Sequence, residues 1–310
     1  MIVVMKKLLN RSLVVATLLI AGVVVLFVFL INQEPQFVTL STNIDLAHKK
    51  IKDSKVDPNF DSVFNELPIP RLRDVLIDNM ASVNNAVNPG VKYVHITQGL
   101  RKEQVAERFG QVLDWPKTEI DKFSDADHPD GLPNAEGYYY PGTYAVYKGE
   151  NSGSVSKKMF DRFEVEIANR YGTSTAKIIN IETALKIASL IEREAGSKSD
   201  MRLISGIIWN RIFKGMNLEI DATLQYAKGT EANGWWPAVH PKDKYIDSPY
   251  NTYKYNGFPP TAISNPGIAS VYAALNPQKT DCLFYLHDSR RQIHCTKTYE
   301  AHKKNIARYY

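Results

Sequence analysis

Two glutamates stand two residues apart in the run Leu185-Lys-Ile-Ala-Ser-Leu-Ile-Glu192-Arg-Glu194-Ala-Gly196. A carboxyl group among Ala, Leu and Ile side chains loses hydration, which disfavours its charged form and raises its pKa. Such a group stays protonated near neutrality and can serve as a general acid. On a helix at about 100° per residue, Ile181, Ala184, Leu185, Ala188, Ile191 and Ala195 share one face, with Lys186, Ser189 and Arg193 opposite. Glu192 falls within roughly 70° of the centre of the apolar face and Glu194 about 90° away, on its flank. The spacing therefore favours Glu192 as the acid. The ordinary alternative is a glutamate that ends in an ion pair or reaches solvent along its own methylenes.

Other carboxylates bear on the reaction type. A glycosidase with a separate nucleophile or base needs a second Asp or Glu facing the first across the sugar. Glu136, Glu194, Glu219 and Asp221 are the candidates. Lytic cleavage needs one carboxyl only, which protonates the glycosidic oxygen and then takes a proton from a hydroxyl of the same sugar. Glu136 opens an aromatic cluster, Glu136-Gly-Tyr-Tyr-Tyr-Pro-Gly-Thr-Tyr144, whose rings suit either sugar faces or a core. The seven His residues are scattered and no HExxH or CxxC occurs, so neither a metal nor a cofactor is called for. Gly-rich phosphate loops and a GxSxG elbow are absent. Ser154-Val-Ser-Lys157 fits an SxxK pattern, but without SDN or KTG partners it reads as a polar helix start.

Several elements must position these groups. A strand over Lys92–Thr97 followed by Gln98–Phe109 reads as a strand-turn-helix unit. Asp125–Pro141 is loop, and Met159–Tyr171 has helical spacing. The Glu192 helix is followed by a second that starts at Ser199-Asp200 and stops at Gly215. Gly229–Asp247, with Trp235 and Trp236, reads as a long irregular loop, functional or mobile. Val271–Leu275 and Tyr299–Tyr310 read as helices. Between them, two strands around a polar turn near Asp288-Ser289 would set Cys282 opposite Cys295, which favours a disulfide over two buried thiols.

The chain has 310 residues, 44% of them apolar, enough for a substantial core and two modest domains. A net charge of +5 without a Lys/Arg block gives no case for nucleic acid. Leu13–Ile31 carries no charge and is long enough to cross a bilayer. Lys6, Lys7 and Arg11 precede it and no Lys or Arg follows until after His48, so the N-terminus is expected in the cytoplasm and the rest outside. The length of the run and the lack of an Ala-x-Ala site favour an uncleaved anchor over a signal peptide. The expected fold class is α+β. A cytoplasmic N-terminus occupies residues 1–12, a transmembrane helix 13–32, a small α+β module 33–91 and a larger α+β domain 92–310.

Several ordered motifs carry a resemblance. They are Ile187-Ala-Ser-Leu-Ile-Glu-Arg-Glu-Ala195, Trp209-Asn-Arg-Ile212, Gly215-Met-Asn-Leu218, Asp221-Ala-Thr223 with Tyr226, Ser248-Pro-Tyr-Asn-Thr-Tyr253, Gly257-Phe-Pro-Pro260 and Ile263-Ser-Asn-Pro-Gly267. Together they resemble the MltG (YceG-like) family of endolytic peptidoglycan transglycosylases. The resemblance implies a single-pass anchor in the bacterial cytoplasmic membrane and a LysM-like module. It also implies a catalytic domain outside the membrane that cleaves between MurNAc and GlcNAc of nascent strands, limits their length and leaves 1,6-anhydro-MurNAc ends. Glu192, the first Glu of the family's motif, is the implied catalytic residue. Asn210, Arg211, Asp221, Tyr250, Asn251, Thr252 and Tyr253 match motif positions expected to line or brace the groove, with Glu136 and Glu194 as further substrate-side groups. Glu219 departs from the family's usual Gln, and Cys282 and Cys295 replace aromatics. The implied partners are peptidoglycan strands, the bilayer and peptidoglycan synthases (penicillin-binding proteins). A non-catalytic glycan-binding scaffold of the wall-synthesis machinery and a hydrolase using Glu136 or Asp221 are the alternatives.

Overall fold

The computed structural model describes residues 39–53, 90–126 and 135–310. The run Leu13–Ile31 and most of segment 33–91 lie outside them, and among the described residues no helix is long and apolar enough to cross a membrane. Among the described residues the architecture is α+β, with helices accompanied by three two-stranded antiparallel ribbons.

Strands β1 (Ile44–Asp45) and β2 (Lys50–Ile51) form a small hairpin. The backbone N–H of Leu40 donates to Arg170 O at 2.7 Å, that of Asn43 donates to Leu275 O, and Leu40 and Ile44 are fully buried. Residues 39–53 thus share the core of the helical body. Strand β3 (Val91–Ile96) pairs with β4 (Gly142–Tyr147), Ile96 lying opposite Gly142. Helices α1 (Lys102–Leu113) and α2 (Lys117–Ser124) pack together beside this ribbon, and α1 buries Val105, Ala106, Phe109 and Leu113, a helical apolar stripe. Phe109 meets Phe123 at 5.8 Å between ring centres, and Phe123 stacks on Tyr139 at 4.6 Å. Tyr138, Tyr139 and Tyr144 are buried in this cluster, so the tyrosine-rich stretch fills the core. Helix α3 (Ser152–Glu166) starts where the Asn151 side chain accepts from the Ser154 N–H, which places Ser154 in the first turn and Lys157 in the second. A single turn, α4 (Thr173–Ala176), follows.

Helix α5 (Ile181–Glu194) is the centre of the molecule. Asn180 caps it by accepting from the Thr183 N–H at 2.8 Å, and Glu182 pairs with Lys186 one turn on. It packs against α6 (Met201–Phe213), α7 (Asp221–Lys228) and α8 (Ile268–Leu275). Every side chain from Ile187 to Ile191 is buried, a wider surface than the one face read from periodicity, because neighbours cover several sides. Ser189, on the expected polar face, accepts from the Ile263 N–H at 3.0 Å instead of facing water. Gly215, at φ +66°, ends the turn after α6 in a conformation glycine adopts without strain.

Trp235 and Trp236 fix the 229–247 loop to α1 through indole N–H bonds to Glu107 and Gln104 at 2.9 and 2.8 Å. Strands β5 (Phe284–His287) and β6 (Ile293–Thr296) and helix α9 (Tyr299–Tyr309) complete the chain. Cys282 and Cys295 are joined by a disulfide with their Cα atoms 5.8 Å apart. The register differs from the simple turn at Asp288-Ser289, since Cys295 faces Tyr285 and Cys282 lies before the ladder begins. The Asp288 side chain accepts from the N–H groups of Arg290 and Gln292, which builds a longer turn over 288–292.

Candidate active site

The two glutamates of α5 lie about 200° apart around the helix and face different surroundings. Glu192 faces the start of α8. Its Oε2 accepts from the Gly267 N–H at 3.1 Å and from the Ser270 hydroxyl at 2.7 Å. Gly267 is the residue preceding α8 and has no side chain with which to cap it, so Glu192 supplies the acceptor that this helix lacks. A Cβ on Gly99 would lie 3.6 Å from Glu192 Cγ, so the turn after β3 closes over the same carboxyl. Burial raises the Glu192 pKa, and the bonds from Ser270 and Gly267 pull it back down.

Glu194 faces the β5–β6 hairpin and the start of α7. The Tyr285 hydroxyl donates to its Oε2 at 2.7 Å. Burial raises the Glu194 pKa; the Tyr285 bond lowers it, and the nearby negative charge of Asp221 raises it again. Asp221 is exposed and accepts from the Tyr253 hydroxyl at 2.7 Å. Tyr253 also forms a wall of an open depression of about 550 Å³ with Lys244, Tyr245 and Lys254. A half-buried carboxyl with a raised pKa therefore stands beside an exposed carboxylate and a tyrosine that reaches an open surface hollow.

The other residues singled out from sequence mostly brace this site. Asn210 donates from its amide to Thr280 O and Cys282 O. Arg211, buried, donates to Leu283 O at 2.7 Å and to Asn217 O, Leu218 O and Glu219 Oε2 at 2.9 Å. The added charge of Glu219 is thereby paired. Asn251 is fully buried, donating to Lys244 O and Ile246 O and accepting from the Tyr253 N–H. The Thr252 hydroxyl accepts from the Ile220 N–H at the start of α7. Tyr250 packs its ring on Tyr226 at 4.7 Å and shares a hydroxyl bond with Thr261.

Glu136 belongs to a different cluster. It is buried and accepts from the Lys102 N–H at the start of α1, from the Asn265 amide at 3.0 Å and from the Tyr226 hydroxyl at 3.2 Å. Burial holds its pKa up at about 8, the charge of Glu103 adding to the effect and that of Arg101 opposing it.

The YceG-like family model matches residues 72–308. The chain belongs to the YceG-like family. A Bacillus subtilis relative, an endolytic murein transglycosylase, is 32% identical over 236 residues, which cover 70% of this chain and 64% of that protein. A Streptococcus pneumoniae D39 protein of the same name is 29% identical over 174 residues, 56% of this chain and 32% of that one. The match thus spans less than two thirds of either relative. A crystal structure of a YceG-like protein from Listeria monocytogenes superposes with a TM-score of 0.61 at 30% identity, covering 69% of this chain and 75% of that one.

In this YceG-like chain Ser270 and Tyr285 carry no signal in the sequence, and Asn265 is marked only as part of the Ile263–Gly267 motif. Asn265 accepts from the N–H groups of Gly137 and Tyr139 and donates to Leu100 O and Glu136. Its position between Ser264 and Pro266 was the available signal. Ser270 and Tyr285, the donors to Glu192 and Glu194, sit in apolar runs that carry no local mark of chemistry.

Proposed function

We propose that this chain is a lytic transglycosylase of peptidoglycan, with Glu194 as acid and then base. The observation that carries the reading is the surroundings of Glu194, a half-buried carboxyl of raised pKa beside exposed Asp221 and Tyr253. The names of the Bacillus and pneumococcal relatives supply the reaction class. In the reaction the Glu194 carboxyl protonates the oxygen linking MurNAc to GlcNAc, and the bond from the anomeric carbon to that oxygen breaks. The 6-hydroxyl of the same MurNAc then bonds to the anomeric carbon and gives its proton to the Glu194 carboxylate. The acid is restored, no water is consumed, and one strand ends in 1,6-anhydro-MurNAc. Asp221 and Tyr253 bind sugar hydroxyls beside the scissile bond.

The apolar run Leu13–Ile31 supports a membrane anchor with the body outside the cytoplasm, and residues 54–89 of segment 33–91, which lie outside the described residues, are proposed to carry a LysM-like module. Cleavage then falls on nascent strands near the membrane and limits their length. Peptidoglycan synthases, which make those strands, are the proposed partners.

Digestion of sacculi by the purified chain, with products read by mass spectrometry, tests the reading. Anhydro-ended fragments are expected, whereas reducing ends would indicate hydrolysis. A second reading keeps Glu192 as the acid, on the observation that burial raises its pKa as well. Glu194→Gln and Glu192→Gln assayed side by side decide between them.

A further inference from the structure

We propose that Tyr285 is a positioning residue for Glu194, held in place by the Cys282–Cys295 disulfide. The proposal rests on the reading of Glu194 as the acid. The Tyr285 hydroxyl lies 2.7 Å from Glu194 Oε2, at a distance that fixes the rotation of the carboxyl as well as its charge. An acid that protonates a glycosidic oxygen must present one oxygen at a set angle, and a bond to the other oxygen sets that angle.

The hairpin holds Tyr285 from three directions. Tyr285 lies directly across the ladder from Cys295, whose sulfur is bonded to Cys282 three residues before Tyr285. Asn210 on α6 bonds the carbonyls of Thr280 and Cys282, and Arg211 bonds that of Leu283. The His287 ring stands edge-on to the Tyr285 ring at 6.0 Å and reaches Asp200 at 3.3 Å. The disulfide thus ties the two strands of the hairpin together at the level of Tyr285.

A hydroxyl donated to a carboxylate favours the ionised form, so Tyr285 opposes burial at Glu194. The other groups acting on this carboxyl are Asp221, which raises its pKa, and His287 and the Ala222 backbone N–H on α7, which lower it. Arg193 on the same helix and Tyr253 also interact with it. Tyr285 is the side chain among them that makes a close hydrogen bond to Glu194 from another element, and it is itself tied to a covalent crosslink.

Tyr285→Phe in the full chain, held in detergent micelles, tests the proposal. The Glu194 carboxyl is followed by carbon-13 NMR titration, its signal assigned by loss in Glu194→Gln, and product release is followed against pH. The Glu194 pKa should rise by about one unit in Tyr285→Phe. The high-pH limb of kcat/KM should move up with it, because the reaction needs Glu194 protonated, while kcat falls several-fold. The Cys282→Ser/Cys295→Ser double variant should shift in the same direction, and adding Tyr285→Phe to it should change little more. An unchanged Glu194 titration in Tyr285→Phe overturns the proposal. A wild-type titration in the double variant overturns the part given to the disulfide. Failure of the wild type to release anhydro-ended fragments defeats the functional reading instead, and the titration still decides the role of Tyr285.

Discussion

Glu192 and Glu194 share one helix and one motif, yet Glu192 is bonded by Gly267 and Ser270 and Glu194 by Tyr285 on the opposite side. The first contact completes a helix end, and the second lies near the exposed carboxylate of Asp221, whose partner Tyr253 lines a hollow. The two amide substitutions should therefore separate cleanly. Glu194→Gln removes the proton donor and keeps the shape, so release of anhydro-ended fragments should fall by about 10²- to 10⁴-fold with the melting temperature nearly unchanged. Glu192→Gln removes a charge from the start of α8 and should cost about 1–2 kcal/mol of stability, read by thermal melting. Loss of activity confined to Glu192→Gln would reverse the assignment.

The helix carrying both residues was legible in the sequence, because its apolar repeat and Asn180 cap are local properties. What each glutamate meets was not. An angle around a helix says what direction a side chain takes and nothing of what lies there. The partners Gly267, Ser270 and Tyr285 are more than 70 residues further along the chain. The buried braces Asn210, Arg211, Asn251 and Thr252 stand out as motif positions, but their bonds run mostly to backbone carbonyls and N–H groups of loops, which only the folded chain assembles. The strand pairing near the cysteines was readable and its register was not, because the Asp288 side chain lengthens the turn.

Arg211→Lys should destabilise the chain by about 2–3 kcal/mol, although charge is kept. One guanidinium serves Leu283, Asn217, Leu218 and Glu219 at once, and an ammonium at a single point cannot reach all four. The change should appear as a lower urea midpoint with an unaltered slope.

Removal of the Cys282–Cys295 crosslink should lower stability by about 3 kcal/mol through the unfolded chain, since the cysteines are 13 residues apart. Urea titration of the Cys282→Ser/Cys295→Ser variant against the oxidised wild type measures it. Equal midpoints would show that the Asn210 and Arg211 bonds hold the hairpin by themselves.

Glu136 gives the fold a pH dependence of definite sign. Its pKa is held up at about 8 in the folded chain against the ordinary 4.5, so between these values the folded state keeps a proton that the unfolded state has lost. Its stabilising contribution is complete below the lower value and is lost as pH rises towards 8, at up to about 1.4 kcal/mol per pH unit. The donors on Glu136, the Lys102 N–H, the Asn265 amide and the Tyr226 hydroxyl, favour the ionised carboxylate and narrow the pH window over which the effect acts. Urea unfolding of wild type and Glu136→Gln from pH 5 to pH 9 isolates the effect, because the amide cannot titrate. The gap between the two should change in favour of the variant as pH rises; a constant gap would mean that Glu136 is ionised throughout and that its three donors outweigh its burial.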